Sequence, residues 1–278
     1  MRIVVTGASG FLGCALMRKL DHAGLEVVGV SRHALPGLVQ VVSYADAPSG
    51  DVLIHLAEAS DRHLAEVSGT SYEQAALGTL ESLFGKGFDR IVYASSAALY
   101  GDERELLCRV GDPLRIVDTY TRLKYASEQA VLGRKGVVAR LVNLYGPGMS
   151  GGNVLSAILK QVPLNGPVRV QDVTPVRDFL WVEDAAQALA LMAMGKVTGI
   201  FNVGTGLGTS IFELARIVLN AAGQTERLVE SVYQGSKSSH LVVDIAQTVA
   251  EFGWRSTTTL SEGIEILVNM IKENERHG

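Results

Sequence analysis

The chain has 278 residues, 47% of them hydrophobic, and a formal net charge of -4 at pH 7. That length and apolar content suit one large domain or a domain with a smaller lobe, and the lack of any basic run excludes the electrostatic footprint of a nucleic-acid binder. Its two cysteines, Cys14 and Cys108, have no metal-ligand spacing, and no apolar stretch approaches a bilayer span, so a cytoplasmic protein with no metal, nucleic-acid or membrane partner is expected.

The first predicted element is a buried strand at Ile3 to Val5, which breaks into Thr6-Gly7-Ala8-Ser9-Gly10-Phe11-Leu12-Gly13. Glycines there let the backbone turn sharply and approach a pyrophosphate, while the following helix aims its first N–H groups at the anion. Leu12, Leu16 and Leu20 recur at helical spacing, Cys14 is expected to be a small core residue of that helix, and Gly24 marks its end. Further strands are predicted at Glu26 to Val30, Val39 to Tyr44, Asp51 to Ala57, Arg90 to Ser96 and Val137 to Leu144, with helices at Thr70 to Phe84 and Asp118 to Leu132. Only Ala45 to Gly50, with Pro48, separate two of these strands, too few residues for a crossover helix. The alternation predicts an α/β fold built on a doubly wound parallel Rossmann sheet, with its ligand at the carboxyl ends of the strands.

Beyond Tyr145 the rhythm breaks at Gly146-Pro147-Gly148 and Gly151-Gly152. A helix is predicted near Asn153 to Gln161, a buried helix at Ala185 to Met194, and a strand at Ile200 to Val203 that returns to the main sheet. This divides the chain into a dinucleotide-binding domain, residues 1–146 plus about 183–204, and a smaller mixed α/β C-terminal substrate lobe, about 147–182 plus 205–278.

Tyr120 and Lys124 lie four residues apart and share one helical face. A nearby ammonium stabilises a phenolate, drawing a tyrosine down from its free value of about 10 and making the pair a candidate acid/base couple. Surface decoration is the competing account, and the glycine loop together with Ser95-Ser96 at a strand end weighs against it. His55 sits in a strand expected to be buried, where a satisfied core histidine is the favoured reading.

Taken together, the TGASGFLG loop, Ile54-His55-Leu56-Ala57, the YASSAALYG run from Tyr93 to Gly101, the Tyr120/Lys124 pair, RLVNLYGPG from Arg140 to Gly148, Arg177-Asp178-Phe179 with Val182-Glu183-Asp184, and Phe201-Asn202-Val203-Gly204 resemble the extended short-chain dehydrogenase/reductase family. Its members are NAD(P)-dependent nucleotide-sugar epimerases, dehydratases and reductases. The motifs recur in family order over nearly the whole chain.

The resemblance implies hydride transfer at a sugar carbon, with Ser96, Tyr120 and Lys124 as catalytic residues, Lys124 also holding the nicotinamide ribose, and Ser95 structural. It implies a cofactor site at Gly7, Ser9, Gly10, Phe11, Leu12, Gly13, Leu56 and Ala57 together with Tyr120 and Lys124. Asn143, Asn153 and Arg177, with Ser96, would meet a nucleotide-sugar substrate, an ion pair of Arg177 with Asp178 or Glu183 being the alternative. Ala97 and Ala98 stand where the family's dehydratases carry an acidic pair, and alanine moves no proton, which disfavours dehydration and decarboxylation. After the second strand, Ser31 and Arg32 replace the carboxylate of NAD enzymes, so NADP(H) is favoured, with NAD(H) the alternative. Reduction of a 4-keto-(deoxy)sugar is therefore expected, ahead of a 4-epimerase with bound NAD and of a non-catalytic dinucleotide sensor. A homodimer joined through two helices per subunit is also implied. Two departures from the family pattern stand out: Ala75 where an Asn is common, and Gln234-Gly235-Ser236-Lys237 in place of a nucleotide-binding Arg-x-Gly-Asp run.

Overall fold

The computed structural model describes every residue except 22–23, 59–61, 234–238 and 278. The run from Gln234 to Lys237 thus lies outside the described residues. Strand β1 (Arg2–Thr6) passes through the glycine turn into helix α1 (Phe11–Asp21), followed by β2 (Glu26–Ser31), β3 (Val39–Gln40), β4 (Val52–His55), α2 (Arg62–Phe84), β5 (Arg90–Ser96), α3 (Thr119–Gly133) and β6 (Val137–Leu141). Next come β7 (Asn143–Tyr145), α4 (Val154–Leu159), β8 (Val168–Val170), β9 (Val176–Arg177), β10 (Phe179–Trp181), α5 (Val182–Met194), β11 (Gly199–Val203), α6 (Ile211–Ala222), α7 (Ala246–Phe252) and α8 (Leu260–His277).

Seven strands form one sheet in the order β11-β6-β5-β4-β1-β2-β3, with every pairing parallel. Side chains of β1 alternate between the two faces, as strand geometry demands. Ile3 and Val5 join a core with Leu16, Leu20 and the alanines of α5, whereas Val4 joins Leu80, Leu83 and Val131 on the other side. Helices on both faces explain why the strands are apolar nearly throughout. A ligand crevice belongs where the strand order reverses, between the carboxyl ends of β1 and β4.

A second core gathers Tyr145, Leu155, Ile158, Phe179, Trp181, Leu214, Val218, Ile264 and Val268. Val243 and Trp254 pack into the first core, although they lie in the span expected to belong to the second lobe.

Several boundaries moved for identifiable reasons. The predicted strand from Val137 to Leu144 is two strands: β6 pairs with β5, and after Val142 the chain leaves the sheet so that β7 pairs with β10. The strand expected from Val39 to Tyr44 ends at Gln40, because its neighbour β2 stops at Ser31. No helix crosses from β3 to β4, as expected; one 3-10 turn, Tyr44–Asp46, fills the connection. Helix α2 begins at Arg62, but Gly69 breaks it with φ 57°, just before the Thr70 start that was predicted. Cys14 is exposed rather than in the core, because α1 turns Gly13, Ala15, Leu16 and Leu20 inward.

Candidate active site

The glycine loop is held at very close quarters. Gly7 has φ +74°, a left-handed conformation that glycine adopts without strain. A Cβ on Gly13 would lie 2.2 Å from the Gly7 carbonyl oxygen and 2.8 Å from the Cα of Ala8, so only glycine lets the first turn of α1 sit on the loop. Both open onto a cavity of about 960 Å³ at the carboxyl ends of the central strands.

The cavity wall brings together Gly7, Gly10, Phe11, Leu12, Gly13 and Leu56 with Ser96, Tyr120 and Lys124, and farther along Asn143, Asn153 and Arg177. Ser9, Ser31, Arg32 and Ala57 do not line it. Ser31 is fully buried, its Oγ donating to Ser9 Oγ at 2.8 Å and accepting from the His33 amide at 3.0 Å. The Arg32 guanidinium lies 5.6 Å from the centre of the Tyr44 ring. Ala57 backs the loop, near enough that a Cβ on Gly7 would meet its Cα at 3.1 Å.

Helix α3 is aimed by its own first turn. Asp118 caps it, accepting from the Thr121 amide at 2.7 Å, and the Thr121 side chain returns a bond to the cap. One turn apart on its inner face, Tyr120 and Lys124 are 7% and 6% exposed. Ser96, at the end of β5, caps the 3-10 turn Ala97–Tyr100, its Oγ accepting from the Ala98 amide at 3.2 Å. Ser95 also borders the cavity, and its Oγ donates to Glu128 at 2.6 Å, a bond between β5 and α3. Ala97 and Ala98 form the turn itself, with Ala97 buried.

At the base of the cavity stands a carboxylate that the motifs did not single out. Glu58 has a side chain only 3% exposed and pairs with Lys124, Oε2 to Nζ 3.0 Å. The Tyr93 hydroxyl donates to Oε2 at 2.5 Å, and the Ser127 hydroxyl donates to Oε1 at 2.9 Å. Lys124 also donates to the Ala94 carbonyl at 2.9 Å. Burial opposes the charge on each member, but their mutual attraction wins: Glu58 titrates below the usual carboxylate range and Lys124 above the usual ammonium range. Burial likewise raises Tyr93 well above a free tyrosine, with the Glu58 charge adding to the effect. The sequence signal for Glu58 was a lone carboxylate directly after an apolar strand end, at a depth where carboxylates occur only when paired.

His55 is the satisfied core residue that was expected. Its ring is 1% exposed, and Nδ1 is 2.7 Å from Thr6 Oγ1. Burial lowers it to about 4 despite Glu58 nearby, so the ring is neutral at pH 7.

On the opposite wall, Arg177 pairs with Asp102 at 3.0 Å and donates to the Ser239 hydroxyl at 2.6 Å. Of the two acids considered for it, Asp178 accepts from Thr205 and the Gly206 amide, and Glu183 accepts from Arg18. Asn153 caps α4 through the Ser156 amide at 2.8 Å, and Asn143 begins β7. Among the described residues no group of three or more His, Cys, Asp or Glu is arranged to hold a metal ion, and no helix is long and apolar enough to cross a membrane.

The family model described as the NAD dependent epimerase/dehydratase family matches residues 3–204, which span the glycine loop, Ser96, the Tyr120/Lys124 pair and the last sheet strand. The chain belongs to that family. It is an enzyme of the extended short-chain dehydrogenase/reductase type. Among relatives of the family, it is 26% identical to a dTDP-L-rhamnose 4-epimerase of Burkholderia thailandensis, over 98% of this chain and 95% of the relative. It is 21% identical to a dTDP-4-dehydro-6-deoxyglucose reductase of Escherichia coli, over 97% of each. In structure it is similar to RMD from Pseudomonas aeruginosa complexed with NADPH, with a TM-score of 0.85, 23% identity and coverage of 98% of this chain and 99% of that one. Solved neighbours of this fold carry NAD in some cases and NADPH in others.

Proposed function

We propose that the protein reduces the carbonyl of a nucleotide-linked 4-keto-deoxysugar with NADPH. The observation that carries this reading is the convergence of Ser96, Tyr120 and Lys124 on the one cavity that the glycine loop also lines, with alanines at 97 and 98. The loop suits a dinucleotide: a Cβ on Gly7, Gly10 or Gly13 would meet backbone atoms of the chain itself at 3.0, 3.2 and 2.2 Å, so the glycines let the loop fold tightly beside the cavity that it lines. Gly7 to Gly13 would hold the pyrophosphate, Arg32 the adenosine end with Ser31 buried behind it against Ser9, and Lys124 the nicotinamide ribose. When bound, the reduced nicotinamide supplies hydride to the carbonyl carbon.

The chain's own residues do the rest. Ser96 Oγ orients the carbonyl by hydrogen bonding to its oxygen, and Tyr120 Oη gives that oxygen a proton. Asn143, Asn153 and Arg177 hold the sugar nucleotide, Arg177 through charge-assisted bonds to its pyrophosphate. Alanine at 97 and 98 withholds the further acid and base that an elimination of water needs. The division into a dinucleotide-binding part and a substrate lobe, a cytoplasmic location and a homodimer through two helices including α3 belong to the same reading. Light scattering on the purified protein tests the last of these.

Mixing protein with NADPH and dTDP-, GDP- or UDP-linked 4-keto-sugars, and following loss of nicotinamide absorbance, tests the activity. Loss of absorbance with at least one of the three is the expected result. The second reading, a 4-epimerase that recycles bound NAD, is favoured by the relative from Burkholderia thailandensis. Failure of all three substrates, together with interconversion of a sugar nucleotide by NAD-loaded protein, establishes that reading instead.

A further inference from the structure

Glu58 has no part in the reaction just described, yet it is buried against Lys124, which does. Taking a carboxylate out of water costs several kcal/mol unless it is paired and hydrogen-bonded. Here Lys124, Tyr93 and Ser127 all serve it. An ammonium has three protons to donate. Lys124 directs one to Glu58 and one to the Ala94 carbonyl, a geometry that fixes where the third can point.

We propose that Glu58 is a positioning residue which pins Lys124 at the base of the cavity and compensates its charge, so that Tyr120 serves as proton donor to a carbonyl oxygen rather than as the phenolate base that an alcohol oxidation requires. The proposal rests on the reductase reading above. A lone ammonium one helical turn from a phenol pulls it toward phenolate. A carboxylate 3.0 Å from that ammonium turns the charge into a dipole, whose pull falls off faster with distance.

In the reductive step the Tyr120 O–H bond breaks and its proton goes to the carbonyl oxygen. The C=O π pair becomes the new O–H bond as hydride from the reduced nicotinamide forms the C–H bond, leaving a phenolate and oxidised nicotinamide. Other groups act on the cluster from each neighbouring element. His55 on β4, neutral at pH 7, and Tyr93 on β5, kept protonated by burial, both face Glu58. Tyr72 on α2 and Tyr120 on α3 act on Lys124. Glu58 is the carboxylate among them.

The test is a titration of tyrosinate absorbance in the full-length protein, parent and Glu58→Gln, each set against the same protein with Tyr120→Phe so that the difference isolates Tyr120. In Glu58→Gln the Tyr120 step is expected about one pH unit or more below the parental one. The falling limb of kcat/KM for keto-sugar reduction moves with it, and rates above the displaced step drop about tenfold per unit of displacement. Glu58→Asp keeps the charge and is expected to hold the step near the parental pH, which a purely structural role would not predict. Should Glu58→Gln not fold, Glu58→Ala, which leaves room for water at Lys124, carries the same expected shift. A Tyr120 step at the parental pH in a folded variant lacking the charge overturns the proposal. Because the titration uses no sugar, a displaced step in a protein that reduces no keto-sugar overturns the directional claim and the reductase reading, while the coupling of Glu58 to Tyr120 stands.

Discussion

Arg140 on β6 reaches Glu128 on α3 through two hydrogen bonds of 2.9 and 2.7 Å, with side chains 2% and 0% exposed. Ser95 donates to the same carboxylate, and the Tyr100 ring lies 4.9 Å from the guanidinium. The pair ties the helix that carries Tyr120 to the sheet that carries Ser96.

Removing one member leaves the other charged and buried without its counter-ion. Arg140→Met or Glu128→Gln is expected to cost about 3–5 kcal/mol in urea unfolding, whereas replacing both with apolar residues recovers much of that loss. A single substitution that costs under about 1 kcal/mol refutes the assignment.

Tyr120→Phe deletes the proposed proton donor and keeps the ring. Turnover should fall by about 10²–10⁴-fold, with dinucleotide affinity nearly unchanged in a fluorescence titration. Equal loss of binding and turnover contradicts the role.

Gly13→Ala places a methyl group 2.2 Å from the Gly7 carbonyl oxygen. The loop and the first turn of α1 must separate, and dinucleotide affinity is expected to drop by about tenfold or more, that is at least about 1.4 kcal/mol by calorimetry. Parental affinity in the variant removes the loop from the cofactor site.

Ser31→Asp puts a carboxylate at the end of β2, where it repels a 2′-phosphate and accepts from ribose hydroxyls. The ratio of NADP to NAD dissociation constants is expected to rise by about tenfold or more. An unchanged ratio sinks the cofactor preference.

His55 gives stability a pH dependence whose sign can be worked out. Its folded value of about 4 lies below the unfolded 6.5, so between these values the unfolded chain binds more protons. The contribution is complete above 6.5 and is lost as pH falls toward 4, by about 3 kcal/mol in all. Glu58, whose value is depressed, adds a further loss below the ordinary carboxylate range. Urea midpoints measured from neutral pH downward should decline through this window in the parent and less steeply in His55→Gln.

The sheet was legible because its strands were largely apolar runs between turn signals. The site was legible where backbone geometry restricts residue type, as at Gly7 and Gly13, or where spacing forces a shared face, as with Tyr120 and Lys124. The departure at Val142 was hidden, since an extended chain has the same apolar pattern whichever strand it pairs with. Glu58 escaped notice because its importance comes from Tyr93, Lys124 and Ser127, three residues distant in sequence that only the folded chain sets around it.

That hand-over at Val142 also has a mechanical side. Leu141 is the last residue of β6 and Asn143 the first of β7, and both line the cavity. Two residues of extended chain, about 7 Å, therefore set the span between the part of the cavity floor formed by the end of β6 and the wall where Asn143 sits. The gauge of the cleft is written into one uninterrupted backbone segment, as the distance between rails is set by the tie beneath them.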